Sequence, residues 1–117
     1  MPAPLAISHL NFPARDPEAL RRFYAEKLGL RIYSSMLYGG RTCLNIAKGE
    51  PLPPGSFHFG FWLESKEAVR EWAARLEADG VTLHEPYVDH GAYATVYVED
   101  PEGNVIELFW EEPPVFD

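Results

Sequence analysis

Two histidines and one glutamate stand out as groups that could share a single task. His9 and His58 occupy matching short segments, Ile7-Ser8-His9-Leu10-Asn11-Phe12 and Ser56-Phe57-His58-Phe59-Gly60-Phe61, 49 residues apart. Glu107 lies in the last alternating run, Asn104 to Glu111. Imidazole and carboxylate are ligand types that first-row divalent ions accept, so His9, His58 and Glu107 are candidate metal ligands. Taken singly each has a plainer reading, since histidine is more often a surface or satisfied core group and a strand glutamate is usually solvated. Their shared position in a repeated pattern is what distinguishes them.

That pattern comes from the elements that must hold these side chains. The 49-residue offset that superposes the histidines also superposes Asp16-Pro17-Glu18-Ala19-Leu20 on Ser65-Lys66-Glu67-Ala68-Val69, so strand and helix recur in the same order. Asp16 as N-cap with Pro17 at the first helical position opens a helix whose apolar stripe is Leu20, Phe23, Tyr24 and Leu28, and Gly29 stops it. Ser65 opens the second helix, with Val69, Trp72, Ala73 and Leu76 as its stripe and Gly80 at its end. Strands are expected over Leu30–Leu37 and Arg41–Ala47, with a Tyr38-Gly39-Gly40 turn between them. In the second half they are expected over Val81–Val88, Ala92–Val98 and Asn104–Glu111, the last two joined by a tight Asp100-Pro101-Glu102-Gly103 turn.

The expected fold is therefore α+β: two βαβββ modules forming a curled mixed sheet around a cavity. It is one domain over 1–117, with module one about 5–47, a proline-containing linker 48–55, module two about 56–111, and an irregular tail from Glu112.

Strand parity tests the ligand assignment, because alternate side chains face opposite sides of a sheet. Phe57, Phe59, Phe61 and Leu63 should face the helices, leaving His58, Gly60 and Trp62 on the other face. Ile106, Leu108 and Trp110 likewise leave Val105, Glu107 and Phe109 opposite, and Leu10 and Phe12 leave Ile7, His9 and Asn11. Three strands thus each present a metal-competent group away from the helices, where a curled sheet would make polar groups costly unless they coordinate something.

Composition narrows the partners. With a net charge of −8 and no cluster of Lys or Arg, the surface would repel phosphate backbones, which disfavours nucleic acid. No run approaches the roughly 20 apolar residues of a membrane span. One cysteine, Cys43, excludes an internal disulfide framework, and the Met-Pro-Ala-Pro start shows no secretory leader, so a cytoplasmic location is expected.

Taken together, these features resemble the vicinal oxygen chelate superfamily of glyoxalase I, fosfomycin and bleomycin resistance proteins and extradiol dioxygenases. The resemblance covers roughly residues 5–111. It rests on the paired histidines, on Phe23-Tyr24…Leu28-Gly29-Leu30, and on Asp100-Pro101-Glu102-Gly103-Asn104 followed by Glu107. It implies that His9, His58 and Glu107 hold a divalent ion with open positions for a substrate bearing two adjacent oxygens, and that the chain pairs as a homodimer.

Within the superfamily the resemblance favours dioxygenase-like chemistry with Fe(II) or Mn(II). Glyoxalase I uses a fourth ligand, a Glu, at the place where the internal repeat puts Asn45, and fosfomycin enzymes place cations where Glu85-Pro86-Tyr87-Val88-Asp89 has none. The extradiol pattern is matched by His90, Val96-Tyr97, the Pro-x-Gly turn and Glu107, which implies catalytic roles for Tyr97 and His90. These enzymes also carry an active-site His upstream of the second metal His, and Arg41–Phe57 has none. The alternatives are a glyoxalase-like isomerase or lyase using Zn(II) or Ni(II), and a drug-binding protein of the bleomycin-resistance type that holds an aromatic or cationic compound among Trp62, Tyr93, Tyr97 and Phe109. His84 is read as structural or exposed.

Overall fold

A computed structural model describes residues 5–112. The chain divides into two compact units, Met1–Leu52 and Pro53–Asp117. The first contains β1 (Leu10–Ala14), α1 (Pro17–Leu28), β2 (Arg31–Tyr33), β3 (Met36–Gly39) and β4 (Thr42–Lys48). The second contains β5 (His58–Trp62), α2 (Lys66–Ala78), β6 (Leu83–Asp89), β7 (Tyr93–Glu99) and β8 (Val105–Glu111). Each unit is a βαβββ module with its own four-stranded mixed sheet, ordered β1-β4-β3-β2 and β5-β8-β7-β6. In both, the first strand runs parallel to the last and the remaining pairs are antiparallel.

The helix termini follow their local chemistry. Asp16 and Ser65 accept hydrogen bonds from the backbone N–H of Ala19 and Ala68, at 3.1 and 3.0 Å, which satisfies otherwise orphaned donors of the first turn. Gly29 takes φ 78° after α1, and its N–H closes onto the Ala25 carbonyl at 3.2 Å. Leu20 and Tyr24 of α1 are fully buried with Phe12, Leu37, Leu44 and Ile46 among the core side chains of their unit. Val69 and Leu76 of α2 are buried likewise, with Val96, Val98, Ile106 and Leu108 in the core of theirs. Phe23, Leu28 and Trp72 of the expected stripes are only half-buried.

Several boundaries differ from expectation. The first strand begins at Leu10, not Ile7, because it exists only where β4 pairs with it, from Leu10↔Leu44 to Ala14↔Lys48. Ile7 is 82% exposed, so the alternation before Leu10 belongs to chain outside the ladder. The Leu30–Leu37 stretch is broken by a two-residue turn at Ser34-Ser35, with Ser34 at φ 57°, giving the β2–β3 hairpin. The following turn is Gly40-Arg41, since Tyr38 and Gly39 remain in β3. Along β5 the odd residues Phe59 and Phe61 are half-buried rather than core, because β5 is the edge strand and α2 packs across β6, β7 and β8. Of the expected irregular tail, Pro113 onward lies outside the described residues. Among the described residues no helix is long and apolar enough to cross a membrane.

Candidate functional site

Cross-strand register gives the second unit a functional face. Gly60 of β5 pairs with Glu107 of β8, Glu107 pairs with Tyr97 of β7, and Tyr97 pairs with Glu85 of β6. These four residues form one rung across all four strands. Their neighbours on the strands, Val96, Val98, Ile106 and Leu108, are buried in the core, so Tyr97 and Glu107 point away from it.

His58 and Glu107 converge on this face. The His58 Nε2 lies 3.6 Å from the Glu107 Oε1, with the imidazole 57% and the carboxylate 17% exposed. Donors that share one ion at about 2.1 Å each stand roughly 3.0–3.5 Å apart, so a small side-chain rotation brings this pair to ligand spacing. Gly60 leaves the space beside the carboxylate open: a Cβ there would stand 2.9 Å from the Glu107 carbonyl oxygen and 3.2 Å from its Cβ. A hollow lined by Gly60, Phe61, Trp62, Glu107 and Phe109 occupies that space. The donor types and the room beside them fit a divalent ion.

Tyr97 completes the cluster. Its ring meets the His58 imidazole edge-on at 5.9 Å, it pairs across the ladder with Glu107, and hydrogen bonding to that carboxylate is one cause of its shifted phenol. Partial burial first, and then the Glu107 charge and that hydrogen bond, raise the phenol above its ordinary value. Tyr97 therefore keeps its proton at neutral pH and acts as a donor.

His90 lies in the turn between β6 and β7, beside Thr95, which stands two residues before Tyr97 on the same face of β7. Its ring stacks on Tyr93 at 4.3 Å and 10°, and its Nε2 is 3.4 Å from the Thr95 Oγ1. The loop that carries it is pinned by Lys66 of α2, whose Nζ donates to the Asp89 Oδ1 at 2.8 Å and to the Gly91 carbonyl at 3.0 Å. Trp62, Phe109 and Tyr93 form an aromatic wall, with Trp62–Phe109 at 5.1 Å and Tyr93–Phe109 at 6.2 Å.

His9 belongs to the first unit. It immediately precedes β1, is exposed, and its Nδ1 lies 2.7 Å from the Ser8 Oγ. In that unit the rung equivalent to Gly60–Glu107–Tyr97 is Asn11–Asn45–Met36, which has neither carboxylate nor imidazole. Among the described residues no group of three or more His, Cys, Asp or Glu side chains is gathered as a metal site. The structure thus brings His58, Glu107 and Tyr97 together, with His90 further along the same face.

Two positions escaped the sequence reading. Gly60 lies on the face that strand parity predicts, but its role as the opening beside Glu107 follows only from the register. The second is a pair of irregularities in β6, between Leu83 and Glu85 and between Glu85 and Val88. They bring Glu85 opposite Tyr97, and a second hollow is lined by Gly55, Phe57, His58, His84, Glu85, Tyr97 and Val105. Pro86 was the available signal, because proline within a strand marks an edge or a bulge. His84 is exposed as expected, and its Nδ1 lies 3.3 Å from Glu99.

Comparison with known proteins identifies the fold. The model of the Glyoxalase/Bleomycin resistance protein/Dioxygenase superfamily matches residues 6–108. The chain belongs to this superfamily. A possible glyoxalase from Bacillus cereus is 33% identical with a TM-score of 0.75, the match covering 90% of this chain and 98% of that one. The lactoylglutathione lyase of Agrobacterium tumefaciens superposes with a TM-score of 0.73 at 24% identity over 92% of this chain and 94% of that one, a likeness of fold. Catechol-2,3-dioxygenase of Bacillus subtilis (strain 168) is 25% identical over 121 residues, covering 92% of this chain. This superfamily member spans only 42% of that relative's length.

Proposed function

We propose that this superfamily member is a metal-dependent enzyme acting on a small molecule with two adjacent oxygens, with dioxygenase-like ring cleavage favoured over glyoxalase-like isomerisation or lyase chemistry. The observation that carries this reading is the convergence of His58 and Glu107, 3.6 Å apart beside the Gly60 opening, with Tyr97 directly across the ladder from Glu107. His58, Glu107 and His9 are the proposed ligands, and Fe(II) or Mn(II) the favoured ions. When bound, the ion supplies Lewis acidity toward the adjacent oxygens and the redox capacity that ring cleavage by dioxygen requires.

The remaining work falls to this chain's side chains. Tyr97 holds its proton and orients the Glu107 carboxylate by hydrogen bonding. Gly60 admits the substrate's oxygens beside that carboxylate, while Trp62 and Phe109 cover the flat face of a ring. His90, steadied against Tyr93 and near Thr95, is the proposed acceptor of a substrate hydroxyl proton. Asn45 on the first-unit rung speaks against the four-ligand arrangement of glyoxalase I and so favours the dioxygenase-like branch. A cytoplasmic homodimer is part of the same proposal.

Elemental analysis of the purified protein tests it. A stoichiometric divalent ion that is lost in His58→Ala supports the assignment, and metal content unchanged by that substitution removes it. The aromatic wall favours a second reading, in which the same face sequesters an aromatic compound without turning it over. Protein that neither carries nor takes up a divalent ion, yet binds such a compound, would establish that reading instead.

A further inference from the structure

The rung that carries Glu107 and Tyr97 ends in a carboxylate for which the proposed chemistry has no use. Glu85 is turned toward this face by the irregularities of β6, where it pairs with Tyr97 and lines the hollow that also contains His58 and His84. Its neighbours are committed elsewhere: Glu99 to His84 at 3.3 Å, and Glu107 to His58 and Tyr97. Among the described residues Glu85 has neither a hydrogen-bond nor an ion-pair partner, and no lysine or arginine lines either hollow. An irregular ladder next to a site often serves to re-aim a side chain.

We propose that Glu85 is a specificity-determining residue that selects substrates carrying a positively charged amine, the ammonium group lying in the hollow between His58 and β6. This rests on the reading that His58 and Glu107 hold an ion that a vicinal dioxygen group approaches. Glu85 and Glu107 are two strand spacings apart, roughly 10 Å, with Tyr97 between them. A catechol with its two oxygens at Glu107 and a short aminoalkyl arm passing over Tyr97 spans that distance. A carboxylate on the same arm would meet Glu85 with like charge and with no lysine or arginine in the hollow to receive it. The hollow is open to water, so the selection is moderate and falls with added salt.

Calorimetric binding to Zn(II)-loaded protein, whose redox-inert ion leaves catechols unoxidised, tests this with three probes: dopamine, 3,4-dihydroxyphenylacetate and 4-methylcatechol. The expected result is that dopamine binds about tenfold more tightly than 3,4-dihydroxyphenylacetate at low salt, and that Glu85→Gln reduces this preference to within about threefold. Circular dichroism of Glu85→Gln confirms that the exposed substitution leaves the fold intact. Equal binding of all three probes, or a dopamine preference unchanged in Glu85→Gln, would overturn the role of Glu85 while leaving the metal reading in place. Failure of all three catechols to bind would overturn the metal-site reading and this inference with it.

Discussion

Gly60 stands directly across the β5–β8 ladder from Glu107, so close that a Cβ on Gly60 would lie 2.9 Å from the Glu107 carbonyl oxygen. The proposed ligand therefore owes both its strand position and the space beside its carboxylate to a missing side chain. The neighbour is backbone and cannot swing aside.

Gly60→Ala is accordingly expected to destabilise the protein by about 1–3 kcal/mol, the usual range for overpacking. It should also weaken divalent-ion binding, because β5 must move away from Glu107. Urea denaturation and metal titration of the variant check both effects. An unchanged midpoint would show that β5 accommodates a methyl group at this position.

Binding of an ion to the folded state alone raises stability by mass action, about 2.7 kcal/mol at a hundredfold excess over the dissociation constant. Thermal melts with and without Mn(II) should show this increase in the unsubstituted protein. It should vanish in His58→Ala and in Glu107→Gln. An equal rise in all three would place the ion elsewhere.

Tyr97 offers a test by titration of metal-free protein. Burial, the Glu107 charge and the bond to Glu107 raise its phenol above 10. The folded value exceeds the unfolded one, so the associated stability is complete below about pH 10 and is lost as pH climbs through the folded value. The difference in ultraviolet tyrosinate titration between the unsubstituted protein and Tyr97→Phe should show one late-titrating phenol. With Glu107→Gln as background, that phenol should titrate earlier. A difference spectrum centred at the ordinary value would mean that the bond to Glu107 does not persist in solution.

Lys66 is a cation in the first turn of a helix, where the dipole prefers acids, so its contacts rather than its helix explain its place. Its hydrogen bond, followed by that of the Gly91 N–H, holds the Asp89 carboxyl below its usual range. The stability this brings is present above the ordinary carboxylate value and is lost as pH falls through the depressed one. Lys66→Met should reduce that acid dependence to the part owed to the Gly91 N–H, and speed amide exchange at Gly91. It should also broaden the His90 ring resonances, because the loop on both sides of His90 loses its anchor. Unaltered His90 resonances would assign its placement to Tyr93 and Thr95 alone.

The parts that were legible in the sequence are those whose causes are local. Asp16, Ser65 and Gly29 act within a turn of their own position, and parity along β8 separates Glu107 from Ile106 and Leu108 whatever lies nearby. The equivalence of Asn45 and Glu107 also survived, because it follows from order within a repeat. The start of β1 was not legible, since it depends on where β4 offers partners. Nor was the turn at Ser34-Ser35, where serine gives a weaker signal than glycine. The irregular pairing of β6 arises from register with β7, and only Pro86 hinted at it, so the orientation of Glu85 had to come from the structure.

The Asp100-Pro101-Glu102-Gly103-Asn104 turn explains why that motif precedes Glu107. The buried Asp100 carboxylate accepts from the backbone N–H of Glu102 and Asn104 at 2.9 and 3.0 Å, and from the Asn104 side-chain amide at 2.9 Å. These bonds set the β7–β8 register that places Glu107 opposite Tyr97. Asp100→Ala leaves the buried Asn104 amide without this acceptor, at an expected cost of about 2–4 kcal/mol. Asp100→Asn keeps an oxygen for the backbone donors but sets two amide groups against each other, so it should recover part of the loss. Denaturant midpoints should therefore fall in the order unsubstituted, Asp100→Asn, Asp100→Ala. The Tyr97 titration should shift toward the ordinary value in the same order, because the phenol reaches Glu107 only while the turn holds the register. Midpoints that fall while the Tyr97 titration stays fixed would separate the turn from the site.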